Sequence, residues 1–452
     1  MRRDLLIAAG PGEWRAALLE DGVAVEMFVE RGDRCEPGSL HLGRVVRRVP
    51  ALGAVLVDIG DERPAFLPFG EALGAARLDE GARALVQIRR EGQGGKAARA
   101  TMRVLVRGAH VELRIGRPGL VGGDALPEED RATLVASAPL IPSLASGGGP
   151  GWGLRILEPA PVDILASEVA ALAERWAEIT ARAESLQPPA RLDPPATRAT
   201  GFVAAAPDRI RCDDHAAIPE IRAAFPAAEV AYQAESDWPI GLDALFDVAL
   251  SPTVAIGDGA VHFEPTRAGV LVDVDTGTAE SGSPQRNALA ANLAAAAVIA
   301  RQIRLRRLGG GIIVDFIGLD RGDWRAQVRA ALAAALQPDP ARPQILGWTR
   351  LGHLELVRPR CGRPLAESLL VPAPGGVLVK TPATLAHEAL RALWREARAQ
   401  PARNWRVRAA PSVAAALEGA AAGAVRGLAA RLGRPIAIAA EPSIERFQIE
   451  PA

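Results

Sequence analysis

The sequence predicts an α/β protein of several subdomains, and three observations point there. Its 452 residues are more than one simple core serves, so two to four folding units are expected. Short apolar runs broken by Gly and Pro fill the first part of the chain, whereas strand-like and helix-like stretches alternate from about 240 to 360. From about 378 onward the two signals mix in a small α+β unit.

Taken in order, "DLLIAAG" and "GVAVEMFVE" are strand-like and meet Pro-Gly and Asp-Gly turns, so the chain starts in hairpins. The stretch "LHLGRVVRRVPALGAVLVDIGDERPAFLPFGEA", with "GARALVQIRREGQGGKAARATMRVLVRG", reads as a small antiparallel barrel. Residues from about 117 to 152 are rich in Gly, Pro and Ser. The helix "SEVAALAERWAEITARAESL" follows, with apolar residues three and four apart, and "QPPARLDPPATRATG" is a Pro-rich connector. "GVLVDVDTG" is then a strand, "NALAANLAAAAVIARQIRLRRL" a long helix stopped by glycines, and "IIVDFIGLD" the next strand. The tail holds "TLAHEALRALWREARA", "APSVAAALEGAAAGAVRGLAARLG" and "PIAIAAEP".

Composition narrows the classes. Hydrophobic residues make up 49% and charged residues 23%, the balance of an ordinary globular protein rather than a disordered one. No apolar run is expected to reach the roughly 18 residues of a spanning helix, and "MRRDLLIAAGPGEWRAAL" meets Gly, Pro and Glu too early for a signal peptide, so a cytoplasmic location is expected. Formal net charge is zero, so any nucleic-acid-binding surface must be local. Cys35, Cys212 and Cys361 are far apart, which signals neither a disulfide framework nor a zinc knuckle. Arg supplies nearly all the basic residues, Lys96 and Lys380 being the only lysines.

The chemistry turns on two strands. Alternation puts Asp273 and Asp275 on one side of the first, and the strand-helix-strand unit predicts that Asp315, late in the second, lies beside Asp273. Neighbouring parallel strands are about 4.8 Å apart. Two carboxylates at that spacing suit Mg²⁺, which typically takes one or two of them, keeps its waters and binds a substrate phosphate. Strand-end aspartates also cap loops and helices, and spacing alone leaves both readings open.

The combination "TRAGVLVDVDTGT", "NLAAAAVIARQIRLRRLGGGIIVDFIGLD" and "TRLGHLELVRPR" resembles the catalytic region of the ribonuclease E/G family, in the same order and with nearly the same spacings. Weaker likeness extends over nearly the whole chain. The resemblance implies an RNase H-like subdomain (1–34 and 197–260) split by an S1-like, OB-type barrel (35–108) and a 5′-sensor-like part (109–196). A DNase I-like catalytic subdomain (261–368) and a small C-terminal domain (378–452) would follow. It implies a Mg²⁺-dependent endoribonuclease acting on single-stranded RNA in rRNA, tRNA or mRNA processing, with Mn²⁺ as the alternative ion. Asp273 and Asp315 match the metal-holding aspartates, and Asp275 stands where the family usually has Asn.

Other departures follow from the same resemblance. Phe66 and Lys96 match RNA-contacting positions, but Leu56 replaces an aromatic, and base–aromatic stacking is worth roughly 1–3 kcal/mol. Arg155 is followed by Ile156 rather than the Thr of the 5′-monophosphate pocket, so sensing of the RNA 5′ end is doubtful. Val371 and Pro374 stand where the thiolates of the family's zinc link would be, so no zinc is expected and a homodimer would form without that link. Cys361 is expected to be a buried free thiol, and His353 structural. Arg304 and Arg307 on the crossover helix, with Arg350, Arg358 and Arg360 around the last matched strand, are candidate RNA contacts; solvated helix and strand surfaces are the plainer alternative. The rival function is an RNA-binding relative with little or no catalysis, motivated by Leu56, Ile156, Asp275 and the missing zinc link.

Overall fold

The computed structural model describes residues 2–31, 37–61, 63–73, 78–90, 92, 97–108, 110–123, 126–137, 151–157, 159–192, 207–266, 268–277 and 283–452. The chain forms two compact units, one of residues 1–32 with 196–452 and one of residues 33–195. Strands β1 (Arg3–Ala9), β2 (Glu13–Glu20) and β3 (Val23–Arg31) open the first unit as an antiparallel meander. Asp21 and Gly22 turn β2 into β3 with φ of 47° and 83°, the left-handed pair that a two-residue hairpin loop needs and that Asp-Gly supplies.

The second unit holds the expected barrel. Strands β4 (Leu40–Val49), β5 (Ala54–Asp58), β6 (Ala65–Pro68), β7 (Arg83–Arg90) and β8 (Arg99–Thr101) close through a β4–β7 pairing. Val45, Val55, Val57, Leu67, Val86 and Ile88 fill its interior. A second sheet joins β9 (Leu105–Arg107), β10 (Val111–Ile115), β11 (Gly119–Val121) and β12 (Trp152–Ile156). Helix α1 (Glu128–Ser137) and the long α2 (Val162–Ser185) share its core, with Trp176 fully buried, before β13 (Ala190–Arg191) adds to β4.

The chain then returns to the first unit. Strand β14 (Arg209–Cys212) pairs parallel to β1, and after α3 (Ile218–Ala224) β15 (Glu229–Tyr232) pairs parallel to β14. Helix α4 (Leu242–Leu250) buries Leu242, Leu245 and Phe246 against the meander.

A six-stranded sheet carries the aspartates. Its strands are β16 (Thr253–Ile256), β17 (Gly259–Pro265), β18 (Val270–Asp275), β19 (Gly310–Asp315), β20 (Gln344–Trp348) and β21 (Leu354–Arg358), in the order β16-β17-β18-β19-β21-β20. Helices α5 (Pro284–Leu305) and α6 (Gly322–Leu336) share one core with the sheet face of Val270, Val272, Val274, Ile312, Val314, Leu354 and Leu356. Each such side chain contributes roughly 1.5–3 kcal/mol by leaving water. Only β18 and β19 are parallel; β17 and β21 flank them antiparallel. By length and composition α5 could cross a membrane, which corrects the expectation that no stretch would qualify, yet 56% of that window is buried inside the protein. Its Ala288, Ala295, Ile299 and Ile303 pack on the sheet, the position of a core helix.

The tail follows as α7 (Leu365–Leu369), a hairpin of β22 (Leu370–Pro372) and β23 (Leu378–Lys380), and α8 (Pro382–Ala399). Strand β24 (Trp405–Ala409), α9 (Pro411–Glu418), α10 (Ala422–Leu432), β25 (Ala437–Ala440) and β26 (Phe447–Pro451) complete it, with β24 central in a three-stranded sheet. Glu13, fully buried on β2, is bonded by Arg15, Arg31 and Arg391, and so ties α8 to the meander.

Candidate active site

Strand β18 alternates strictly: Val270, Val272 and Val274 are buried while Leu271, Asp273 and Asp275 are exposed. The parallel register with β19 sets Asp273 directly opposite Asp315. Bridge partners point to the same face, so the two carboxylates stand on adjacent strands, about 4.8 Å apart along the sheet. Asp315 is 59% exposed. Asp275 sits one pleat further along the same face, where its Oδ1 accepts the Gly277 N–H at 2.9 Å.

His262 of β17 opposes Asp273 in the antiparallel register, and His353 stands near Asp315. The latter precedes β21, and its Nε2 lies 3.6 Å from Asp315 Oδ2, beside one of the two opposed carboxylates. Only the antiparallel pairing of β21 with β19 brings it there, but its place one residue before "LELVR" was a readable signal. The β20–β21 turn is held by bonds from Thr349 N to His353 O at 2.8 Å and from His353 N to Thr349 Oγ1 at 3.1 Å. Arg350 and Leu351 are exposed at its tip, Leu351 at 84%. Phe316 and Trp348 meet at 6.0 Å between ring centres, tying the turn to the residue after Asp315.

Two amides on α5 escaped the sequence reading. Asn292, fully buried, donates from Nδ2 to Ile317 O at 2.8 Å and accepts Ile317 N–H on Oδ1 at 3.0 Å. Gln285, two turns earlier, holds Gly318 O and Asp320 N in the same way. Among the described residues no group of three or more His, Cys, Asp or Glu is arranged to hold a metal. A hard cation at Asp273 and Asp315 would therefore complete its shell with water and substrate oxygens, the usual arrangement for Mg²⁺.

Several expected RNA contacts are placed elsewhere. Arg304 is buried and donates to Glu26 at 2.7 Å and to both carboxylate oxygens of Glu20 at 3.0 Å. Burial lowers its pKa tendency, but the two glutamates outweigh that and raise it overall. Arg358 is buried as well, bonded to Asp339 at 2.7 Å and to Leu308 O at 2.8 Å. Both are structural ion pairs, which corrects their assignment to an RNA surface. Arg307 donates to Cys361 O and lies over the Phe28 ring. Arg358 opposes Gly310 at the start of β19, and Arg360 packs across Gly309 and Gly310. Asp315 is at the other end of that strand, roughly 16 Å away at 3.3 Å per residue. Of these five, Arg350 alone sits at the Asp315 end of the sheet, in the turn beyond the Trp348–Leu354 and Leu354–Val314 pairings. Cys361 is exposed, not buried as expected, while Cys212 is buried.

In the second unit, Phe66 is half-buried on the outer face of the barrel and pairs with Leu56. The register extends that row: Arg47 opposes Leu56, Arg99 opposes Phe66 and Arg90 opposes Arg99. Arg47, Arg90 and Arg99 are exposed and have no hydrogen-bond or ion-pair partner among the described residues. Lys96 lies outside the described residues. Arg155 is exposed on β12, and Ile156 packs into the core beside it. Val371 is exposed on the β22–β23 hairpin, and Pro374 follows in its turn.

A profile of the Ribonuclease E/G family matches residues 157–361. The chain is 29% identical to ribonuclease E of Synechocystis over 79% of its own length and 57% of that protein. Against ribonuclease E of Nostoc the identity is 30%, over 80% of this chain and 57% of that one. The chain belongs to the ribonuclease E/G family. Within it, ribonuclease G of Escherichia coli K12 is 26% identical over 100% of this chain and 99% of that protein, whereas the chain spans little more than half of the ribonuclease E relatives.

Proposed function

We propose that the protein is an endoribonuclease that cleaves single-stranded RNA with Mg²⁺ held by Asp273 and Asp315, Mn²⁺ being the alternative ion. One observation carries the reading: the register that sets these two carboxylates opposite each other on an exposed sheet face. Both offer hard oxygen donors open to solvent, which fits such a cation. When bound, the ion would neutralise charge on a phosphodiester and lower the pKa of a water. The chain's own groups orient the rest. His353 stands beside Asp315, Asp275 shapes the turn that leaves β18, and Arg350 would offer a cation to the RNA backbone from the exposed β20–β21 turn.

On the barrel, Phe66 would stack a base and Arg47, Arg90 and Arg99 would follow the phosphates, supplying charge where Leu56 cannot stack. Lys96 and Arg155 belong to the same proposal as RNA contacts. Residues 1–34 with 197–260, 35–108, 109–196, 261–368 and 378–452 are proposed as the RNase H-like, S1-like, sensor-like, DNase I-like and C-terminal parts. Any homodimer forms without zinc at Val371 and Pro374, because neither side chain has a ligating atom.

The test is cleavage of a fluorescent single-stranded RNA with Mg²⁺, bearing a 5′-monophosphate or a 5′-hydroxyl, by wild type and Asp315→Asn. Cleavage lost in the variant while RNA binding persists is the expected result. Equal cleavage by both proteins would overturn the metal site, and binding without cleavage by wild type would leave the RNA-binding module as the function.

A further inference from the structure

Asp315 ends its strand, so the backbone after it has no ladder to hold it. What holds it instead is a set of side chains. Ile317 gives both its backbone groups to Asn292, at 2.8 and 3.0 Å. Gly318 O and Asp320 N go to Gln285 at 3.3 and 3.1 Å, and Leu319 O accepts from Arg325 Nε at 3.0 Å. Before the loop, Phe316 is buried against Trp348. Asn292 is the inner member of the clamp, fully buried among the alanines and isoleucines of α5.

A fully buried amide in an apolar helix face is costly unless both ends are bonded. Here both ends are spent on one residue, two positions after Asp315, in the way a neighbouring strand would pair. Ala or Leu at position 292 would suit the helix and its core better. The amide therefore answers a need of the loop rather than of the helix.

We propose that Asn292 is a positioning residue: through Ile317 it fixes Asp315 relative to Asp273 and so sets the affinity of the pair for a divalent cation. This rests on the reading of Asp273 and Asp315 as the metal-holding pair. Groups that orient ligands from behind typically matter by 10–100-fold in metal affinity or activity, because a carboxylate free to wander must be re-ordered each time the ion binds. Gln285 steadies the outer, half-exposed part of the same loop, where its loss is expected to matter less.

The experiment measures Mn²⁺ affinity by electron paramagnetic resonance of the free ion, without RNA, for wild type, Asn292→Leu, Asn292→Ala, Gln285→Ala and Asp315→Asn. Circular dichroism melts run alongside, so that each variant is compared below its unfolding transition. Asn292→Leu removes both bonds to Ile317 while keeping the volume and suiting the apolar core, which makes it the milder probe if Asn292→Ala, with the cavity it leaves, does not fold. The expected result is Mn²⁺ affinity lowered at least tenfold in the Asn292 variants and less in Gln285→Ala. With RNA present, kcat falls, KM for RNA holds and added metal restores part of the rate. Folded Asn292 variants with wild-type Mn²⁺ affinity would overturn the positioning role while Asp315→Asn still loses the ion. If wild type and Asp315→Asn bind Mn²⁺ alike, the metal reading itself fails, and this proposal fails with it.

Discussion

Arginine 304 separates two explanations for a basic crossover helix. If it contacted RNA, its removal would weaken binding and leave the fold intact. The structure predicts the reverse. Its guanidinium is buried between Glu20 and Glu26, whose side chains are 9% and 11% exposed. Arg304→Met keeps the stem but leaves two carboxylates nearly out of water with no cation, and Glu26, already pushed up by burial, loses its counterion. Breaking a buried pair by removing one partner costs about 3–5 kcal/mol. For a unit of this size about 2 °C of melting temperature follows from each kcal/mol, so a loss of about 6–10 °C is expected by differential scanning fluorimetry. Affinity for a short single-stranded RNA, measured at 20 °C by fluorescence anisotropy, should be unchanged. Arg350→Ala should behave oppositely, with an unchanged melt and a salt dependence of log K shallower by about 0.7. An Arg304→Met protein that melts like wild type but binds RNA tenfold more weakly would refute the assignment of this arginine to the fold.

Three further outcomes are expected. Arg47→Ala with Arg99→Ala should make the salt dependence of RNA binding shallower by about 1.4, and an unchanged slope would remove the barrel row from the RNA path. Burial raises the pKa of Glu13, but Arg15, Arg31 and Arg391 outweigh it and hold it well below the usual range. Its stabilisation is thus present above the unfolded value of about 4.3 and lost as pH falls through the folded one; Glu13→Gln should lower stability at pH 7 by about 3–5 kcal/mol in urea denaturation and flatten that acid loss. Asp213 runs the other way, pushed up to about 6 by burial while accepting the Ala9 N–H at 2.8 Å. The folded state then holds an extra proton between about 4 and 6, so stability declines as pH rises through that window. Asp213→Asn should remove the slope and add up to about 3 kcal/mol at pH 7; a slope that survives in the variant would assign it to another group.

By itself the sequence determined the local elements and the chemistry they carry. The Asp-Gly turn, the barrel's short strands and the alternation of Val with Asp in "VLVDVD" depend on neighbouring residues, and a period of two is readable wherever one sheet face is buried. The strand-helix-strand unit also made Asp273 and Asp315 neighbours, because such crossovers join parallel, usually adjacent strands. Tertiary structure alone decided the rest. The return of β14 to β1 spans some two hundred residues, and no local signal encodes such a pairing. The antiparallel insertion of β21 between β19 and β20 brought His353 to Asp315 and sent Arg358 to the far end of the strand, into a buried pair with Asp339. Arginine reads the same in sequence whether it meets RNA or a buried glutamate, since its charge is constant and only its surroundings differ. Asn292 looks like an ordinary helix residue until Ile317 is seen to close on both ends of its amide.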